Sequence, residues 1–445
     1  MLYKESDQDS VCTCIGSGRK SIWMLVPRHG PVSRLCMNAG EGTIASSSGY
    51  SKRGETYKHL GKNRGKQPPP THNRSTTSIY QDHALSRGLY LSIPWTDQTE
   101  MITPPAMADS TRLPPASPDQ SYVTVSAVPA GFITLPDKFF VAPASPTAKR
   151  TVPSLSFLIT HPGGQTPVFL PDSSSRANER SQQSSYRILF DLGLRSHPSR
   201  YPAKQQAHLE NRAPYKLAPG VAAQLSAGGT EPRDIGTVVL SHVHYDHHGD
   251  PEDFPASTFV VGKGALGVLE HGLPGQASHQ NFEKDLLKKH DVVELTCPPS
   301  RELTNGVISK RNGGEKVKYN WMPLGPFPAA LDVFGDGSCW IIDTPGHLPG
   351  HVNMLCRTGE DRWLCLCGDS FHDMRLLTGE KEIGEWTTDD GVCHCIHLDR
   401  SVAEESIKKL RRLKEMEGKR VEMICSHDEI WLETHPEAIF PGRIT

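Results

Sequence analysis

Apolar residues are scattered along the first 120 positions, and from Tyr122 onward they gather into short runs separated by turn residues. Positions 122–128, 155–159, 188–190, 237–240 and 258–261 are rich in Val, Ile, Leu and Phe, the composition of strands with a buried face. Positions 339–342, 352–355, 363–366 and 421–424 repeat the pattern. One stretch carries a helical period. Val402, Ile407, Leu410, Leu413 and Met416 form an apolar stripe over 402–416, with Ser401 and Glu404 as a capping box and Gly418 as the stop. Its Lys and Arg residues read as a solvated face partnered by Glu404 and Glu405, not as a nucleic-acid patch. Many short strands with a few helices predict a layered α/β domain. Ser, Gln and Asn over 172–185 predict a polar loop. The region 262–335, with Gly264, Trp321, Met322, Pro323, Phe327 and Pro328, is expected to supply loops around a pocket for an apolar ligand.

Composition sharpens the domain limits. Only 36% of the 445 residues are hydrophobic, and the deficit lies upstream, where Ser46-Ser47-Ser48 and Pro68-Pro69-Pro70 occur. Residues 1–120 are therefore expected to be a low-complexity, disordered extension, and 121–445 a single globular domain. Met101 or Met107 is a candidate for the working start. Cys12 and Cys14 lack a second Cys or His pair and are not expected to hold metal. A formal net charge of −2 gives no reason to expect a nucleic-acid or anionic-membrane partner. No apolar run reaches the length of a membrane span, and residues 1–7 lack the apolar core of a secretory signal. Eleven cysteines without scaffold spacing point to free thiols in a reducing cytoplasm.

The candidate chemistry begins where the 237–240 run ends. Ser241-His242-Val243-His244-Tyr245-Asp246-His247-His248 packs imidazoles and a carboxylate into one loop, a donor set suited to zinc, and also to iron or manganese. Downstream, Asp343-Thr344-Pro345-Gly346-His347-Leu348-Pro349-Gly350-His351 follows the 339–342 run, Gly368-Asp369 follows 363–366, and Ser426-His427 follows 421–424. Polar residues often cap strands, so one such ending means little. Four in chain order predict a single polar site at one sheet edge. Cys365 and Cys367 alternate on one face and are expected to pack. Cys393-His394-Cys395 is a weak metal signal on its own. No Gly-x-Ser-x-Gly nucleophile elbow stands out.

These residues resemble the metallo-β-lactamase superfamily: HxHxDH at 242–247, TPGHxPGH at 344–351, the aspartate at 369 and the histidine at 427, with Asp191 similar to its first-motif aspartate. Within it, the chain is similar to N-acyl-homoserine-lactone lactonases and to fungal homologues, the latter through 369–372, 376–380 and 397–399. The resemblance implies an αββα sandwich with two divalent metal ions, Zn2+ above all. It implies His242, His244 and His351 on one ion, Asp246, His247 and His427 on the other, Asp369 bridging, and Asp191 orienting His242 or its neighbours from outside. It also implies attack by a hydroxide shared between ions roughly 3.5–4 Å apart, with Asp246 relaying the proton. The lactonases carry a Tyr three residues after the bridging Asp; here that position is His372, expected either to donate to the substrate carbonyl or to sit idle at the rim. His248 and His347 are expected to support the ligands from behind or to be structural, rather than to be ligands.

Fold does not settle the reaction. The leading expectation is opening of a lactone or lactam ring, for example that of a xenobiotic or plant-defence lactam of the benzoxazolinone type. The alternatives are an acyl thioesterase and a mononuclear iron persulfide dioxygenase; a full double ligand set argues against the latter. A nuclease, or a non-enzymatic relative with ligands lost, fits less well.

Overall fold

The computed structural model describes residues 11–16, 19–24, 112–170, 184–273, 280–296, 306–307, 309–310, 318–389 and 391–445. The chain divides into two units, Met1–Gln98 and Thr99–Thr445. In the first, Val11–Gly16 pairs antiparallel with Arg19–Met24. Residues 1–10, 17–18 and 25–111 of the expected extension, with Met101 and Met107, and the side chains of Cys12 and Cys14 lie outside the described residues, as does most of the 172–185 loop.

The second unit contains two large sheets. One is built from β1 (Thr124–Pro136), β2 (Lys149–His161), β3 (Tyr186–Phe190), β4 (Thr237–Val239), β5 (Thr258–Val261), β6 (Asp291–Glu294) and β7 (Ser309–Lys310), in the order β7-β6-β5-β4-β3-β2-β1. Strands β3 to β6 run parallel. The other sheet is β8 (Trp321–Leu324), β9 (Phe327–Asp332), β10 (Cys339–Asp343), β11 (Val352–Gly359), β12 (Arg362–Leu366) and β13 (Val421–Ile424), with order as numbered. It is antiparallel except for the β12–β13 pair.

Period-2 geometry explains why these runs are apolar throughout. Phe190, Val239 and Val260 point into a core shared with Ile341, Met354, Leu364 and Ile424 of the facing sheet. Their neighbours Leu189, Val238 and Phe259 point outward, onto Val221 and Leu225 of α2 (Val221–Ala227) and Val268 of α3 (Ala265–His271). On the far side, Trp363, Cys365 and Met423 meet Ile407, Leu410 and Leu413 of α5 (Arg400–Glu417). Both faces of each sheet are covered, giving the expected αββα layering. Cys365 and Cys367 pack in this outer core, as expected.

Several limits move. Strand β1 runs past Pro129 because a bulge between Pro129 and Phe132 absorbs the proline's missing donor. Leu113 is buried and its N–H donates to Glu417 Oε1 at 2.9 Å, so the packed region starts upstream of the expected 121. Helix α5 is capped by Asp399, which accepts from the Val402 N–H at 3.1 Å, and not by the Ser401/Glu404 box. Ser401 donates to Asp399 instead, and Glu404 pairs with Arg400. Trp321 and Phe327 are core residues rather than pocket loops, and Met322, 45% exposed, faces solvent on the edge strand β8.

Leu410 is wholly buried between α5 and the second sheet. Leu410→Ala is expected to cost about 2–5 kcal/mol, read from urea unfolding of the full chain. A loss under about 1 kcal/mol would mean that this layer is not packed as described.

His161 closes β2, stacks on Phe334 at 4.1 Å and lies 2.8 Å from Asp336. Burial lowers the His161 pKa, but Asp336 more than reverses this and leaves it raised. Burial raises that of Asp336, yet hydrogen bonds from His161 and Ser338 hold it well below the carboxylate range. Stability from His161 is present below about pH 6.5 and lost as pH rises through its raised folded value; that from Asp336 is present above about pH 3.9 and lost as pH falls. Asp336→Asn should therefore weaken the fold most between about pH 4 and 6.5. A pH series of urea unfolding checks this, and a deficit flat across that window and beyond would rule the pair out.

Candidate metal centre

Strands β3, β4, β10, β12 and β13 end, and β11 begins, at one edge of the sandwich. Backbone bonds stitch the two sheets together there: Val352 N–H donates to Ser241 O and Leu155 N–H to Ser426 O, each at 2.9 Å. Gly368 is required at this seam. It has φ +48°, and a Cβ would come within 2.9 Å of both His351 Nε2 and the Ser241 side chain.

The edge gathers the predicted residues. Asp369 is the hub. Its Oδ2 lies 3.0 Å from His372 Nε2, 3.2 Å from His247 Nε2, 3.3 Å from His347 Nε2 and 3.8 Å from His242 Nε2, while Oδ1 lies 3.4 Å from His427 Nε2. His242 Nε2 and His244 Nδ1 are 2.9 Å apart. Asp246 Oδ2 lies 3.8 Å from His427 Nε2. Three groups of donor atoms converge: His242, His244, His347 and Asp369; Asp246, His247 and His427; and Asp369, His372 and His427.

His351 is in none of these groups, and this differs from the expected set. Its Nδ1 lies 3.0 Å from Thr344 O, and its Nε2 accepts from the Asp369 N–H at 3.0 Å. His347, expected to support the ligands from behind or to be structural, stands beside His242 and His244 at 3.2 and 3.1 Å. Both belong to one irregular turn, with Gly346 and Gly350 at positive φ, so spacing alone does not reveal which reaches further. His248 is structural as expected: fully buried, bonded to Gly249 O, and pushed down to about 3 by burial. Cys393-His394-Cys395 forms a short strand with His394 against Thr388 and joins no donor group among the described residues.

The outer nitrogens of the rings are pinned. His247 Nδ1 bonds Asp191 at 2.9 Å, His427 Nδ1 bonds Pro153 O at 2.7 Å, and His242 Nδ1 lies 3.0 Å from Ser241 Oγ. Each therefore turns Nε2 inward. Asp191 is buried, at φ +63°, and also takes Ser241 N–H and Oγ at 2.6 and 2.7 Å. It orients His247 directly and His242 through Ser241, more specifically than the sequence implied.

Electrostatics match a cation site. Burial pushes His242 and His347 well below the usual imidazole range, and His351 down to about 4, so these rings are neutral donors at pH 7. Burial also lowers His247 and His427, but Asp369 reverses both. Asp369 itself, which burial would raise, is held well down by His247, His372 and His427. His247 Nε2 and Asp369 Oδ1 are buried without a hydrogen-bond partner among the described residues. Orphaned donors aimed at one point, each locked from behind, are what metal ligation requires. The residues fit a pair of divalent ions.

A cleft opens over this cluster. Leu135, Phe139, Tyr245, Trp386 and Ile396 give it apolar walls, and His208 and Arg212 stand among them. His372 lines it but is buried, not at the rim. None of the six residues singled out in 262–335 lines it. The sequence reading missed these wall residues, and no local pattern marks them. His397, which touches His347 at 3.3 Å, lay in a segment noted only for its resemblance.

Residues 184–421, more than half of the chain, match the family model of the metallo-beta-lactamase superfamily, and the chain belongs to that superfamily. It carries a metallo-hydrolase domain. It is 32% identical over 190 residues to the gamma-lactamase MBL2 of Gibberella moniliformis, covering 42% of this chain and 70% of that protein. It is 28% identical over 281 residues to the monooxygenase mpaDE' of Penicillium brevicompactum, covering 60% of this chain but spanning only 28% of that protein's length. A solved N-acyl homoserine lactone hydrolase with N-hexanoyl-L-homoserine bound aligns with a TM-score of 0.46 and 16% identity, over 73% of this chain and 100% of that one. Among the described residues, no helix is long and apolar enough to cross a membrane.

Asp191→Ala should be less stable than Asp191→Asn by about 1–3 kcal/mol, because alanine leaves the Ser241 N–H and His247 Nδ1 buried without partners. Urea unfolding of the two variants decides it; equal stability would show that these bonds do not hold the edge together.

Proposed function

We propose that the protein opens the ring of a cyclic ester or cyclic amide with water. Convergence of two donor groups on the Asp369 carboxylate, under a cleft with apolar walls, carries the reading; the similarity to a gamma-lactamase supports it. One ion is assigned to His242, His244 and His351, and the other to Asp246, His247 and His427, with Asp369 between them. His347 is the competitor for the place of His351, since its Nε2 lies nearer.

Two bound divalent ions, Zn2+ in our assignment, would polarise the carbonyl and bring the pKa of water down to about 7. The chain's own groups do the rest. Asp246 takes the proton of the attacking water and returns it to the departing ring oxygen or nitrogen. His372, held 3.0 Å from Asp369, donates to the carbonyl oxygen. Phe139, Trp386 and Ile396 give the cleft an apolar wall for the body of the substrate to rest against. The substrate we assign is a xenobiotic or plant-defence lactam such as a benzoxazolinone; the similarity to a gamma-lactamase supports the lactam ring alone. An acyl thioesterase is the second reading, since it needs the same cluster and a different wall.

Full-length protein loaded with zinc, beside a chelator-stripped sample, should convert a lactone or lactam to a product heavier by one water, and stripping should abolish this. Thioester cleavage alone would move the assignment to the second reading. Loss of metal in His351→Ala with retention in His347→Ala supports the ligand set, and the reverse replaces His351 by His347. His372→Ala with full metal content should lower kcat/KM by about 10²–10⁴-fold; an unchanged value removes its role.

A further inference from the structure

The cleft contains a cation that no carboxylate among the described residues pairs with. Arg150, Arg195, Arg200 and Arg400 each face two or more carboxylates. Arg212 faces none within ion-pair distance among the described residues, and it is the only Arg or Lys among the residues lining the cleft. Its backbone is fixed: the N–H donates to Leu209 O at 2.8 Å and the carbonyl accepts from Thr134 N–H at 2.9 Å, just after α1 (Ala203–Glu210). Its guanidinium lies over the Phe139 ring at 5.7 Å, with Nη2 3.3 Å from His208 Nε2, and it hydrogen-bonds the Tyr245 hydroxyl. Its Nε is buried with no hydrogen-bond partner among the described residues. His208, Tyr245 and Phe139 thus position a planar cation beside an apolar wall, with no carboxylate among the described residues to neutralise it. Guanidinium donors in this fixed fork suit a carboxylate.

We propose that Arg212 is the substrate's anion-recognition residue, and that the cyclic ester or amide carries a carboxylate on an apolar body resting against Phe139 and Trp386. This rests on the hydrolase reading for the word substrate, but the recognition itself can be measured without turnover. The same surface would hold the carboxylate of a free aryl acid.

The test uses full-length, metal-loaded protein and two probes of nearly equal shape, naphthalene-1-sulfonate and the neutral naphthalene-1-sulfonamide, with binding read by calorimetry. Wild type should bind the sulfonate at least tenfold more tightly, and added salt should narrow the gap. Arg212→Gln should erase the gap while leaving the sulfonamide's affinity and the metal content unchanged, and Arg212→Lys should keep part of it. Equal affinities in wild type, failure of both probes to bind, or a preference that survives in Arg212→Gln would overturn the proposal; in the last case the metals hold the anion. A protein that shows the gap but opens no ring would defeat the hydrolase reading and leave Arg212 as an anion site. Where hydrolysis is seen, Arg212→Gln should raise KM about tenfold for a carboxylated lactone, with kcat unchanged and the uncarboxylated parent unaffected. An unchanged KM would again overturn it.

Discussion

Five imidazoles face one buried carboxylate, Asp369, at 3.0–3.8 Å, and the edge of the sandwich is organised around that fact. Burying so many polar groups is costly unless each is satisfied. The protein meets the cost from outside inward. Asp191, Ser241, Thr344 and Pro153 take the outer ring nitrogens, the inner nitrogens of His242, His247 and His427 face Asp369, and that of His351 accepts from the Asp369 N–H. The pinning groups sit at or near strand ends, so the ring positions depend on sheet register. The apolar interior between the sheets, with Phe157, Phe190, Val260 and Leu364, holds that register.

The same division runs through the rest of the domain. Strand ends supply the chemistry, and peripheral segments supply the cleft. Leu135 and Phe139 come from the end of β1 and the turn after it, His208 and Arg212 from α1 and the turn after it, and Trp386 and Ile396 from the region of the hairpin Glu385–Thr387/Cys393–Cys395. Apart from Leu135, which pairs with Arg150 in the first sheet, these residues lie in segments that pack on the scaffold without helping to build its main sheets. Selectivity can therefore change there while the cluster stays intact.

Much of the fold was legible because both faces of the strands are buried, which makes each run apolar end to end. Runs such as 258–261 and 421–424 coincide with β5 and β13. Elements with mixed composition were not legible. Strand β9, with Pro328 exposed and Phe327 buried, read as a loop, and β1 read as ending where Pro129 in fact sits in a bulge. The α5 cap was misplaced because Asp399, Ser401 and Glu404 all fit local capping rules, and only the actual chain turn selects Asp399.

The sequence by itself determined the types of donor, their order along the chain and their attachment to strand ends, because ligand chemistry resides in single side chains and strand composition is local. Tertiary structure alone decided which nitrogen of each ring faces inward, that His347 stands nearer than His351, that Asp191 reaches His247, and that Arg212 enters the cleft. Each of these depends on contacts between segments distant in the chain, and no spacing in the sequence encodes such a contact.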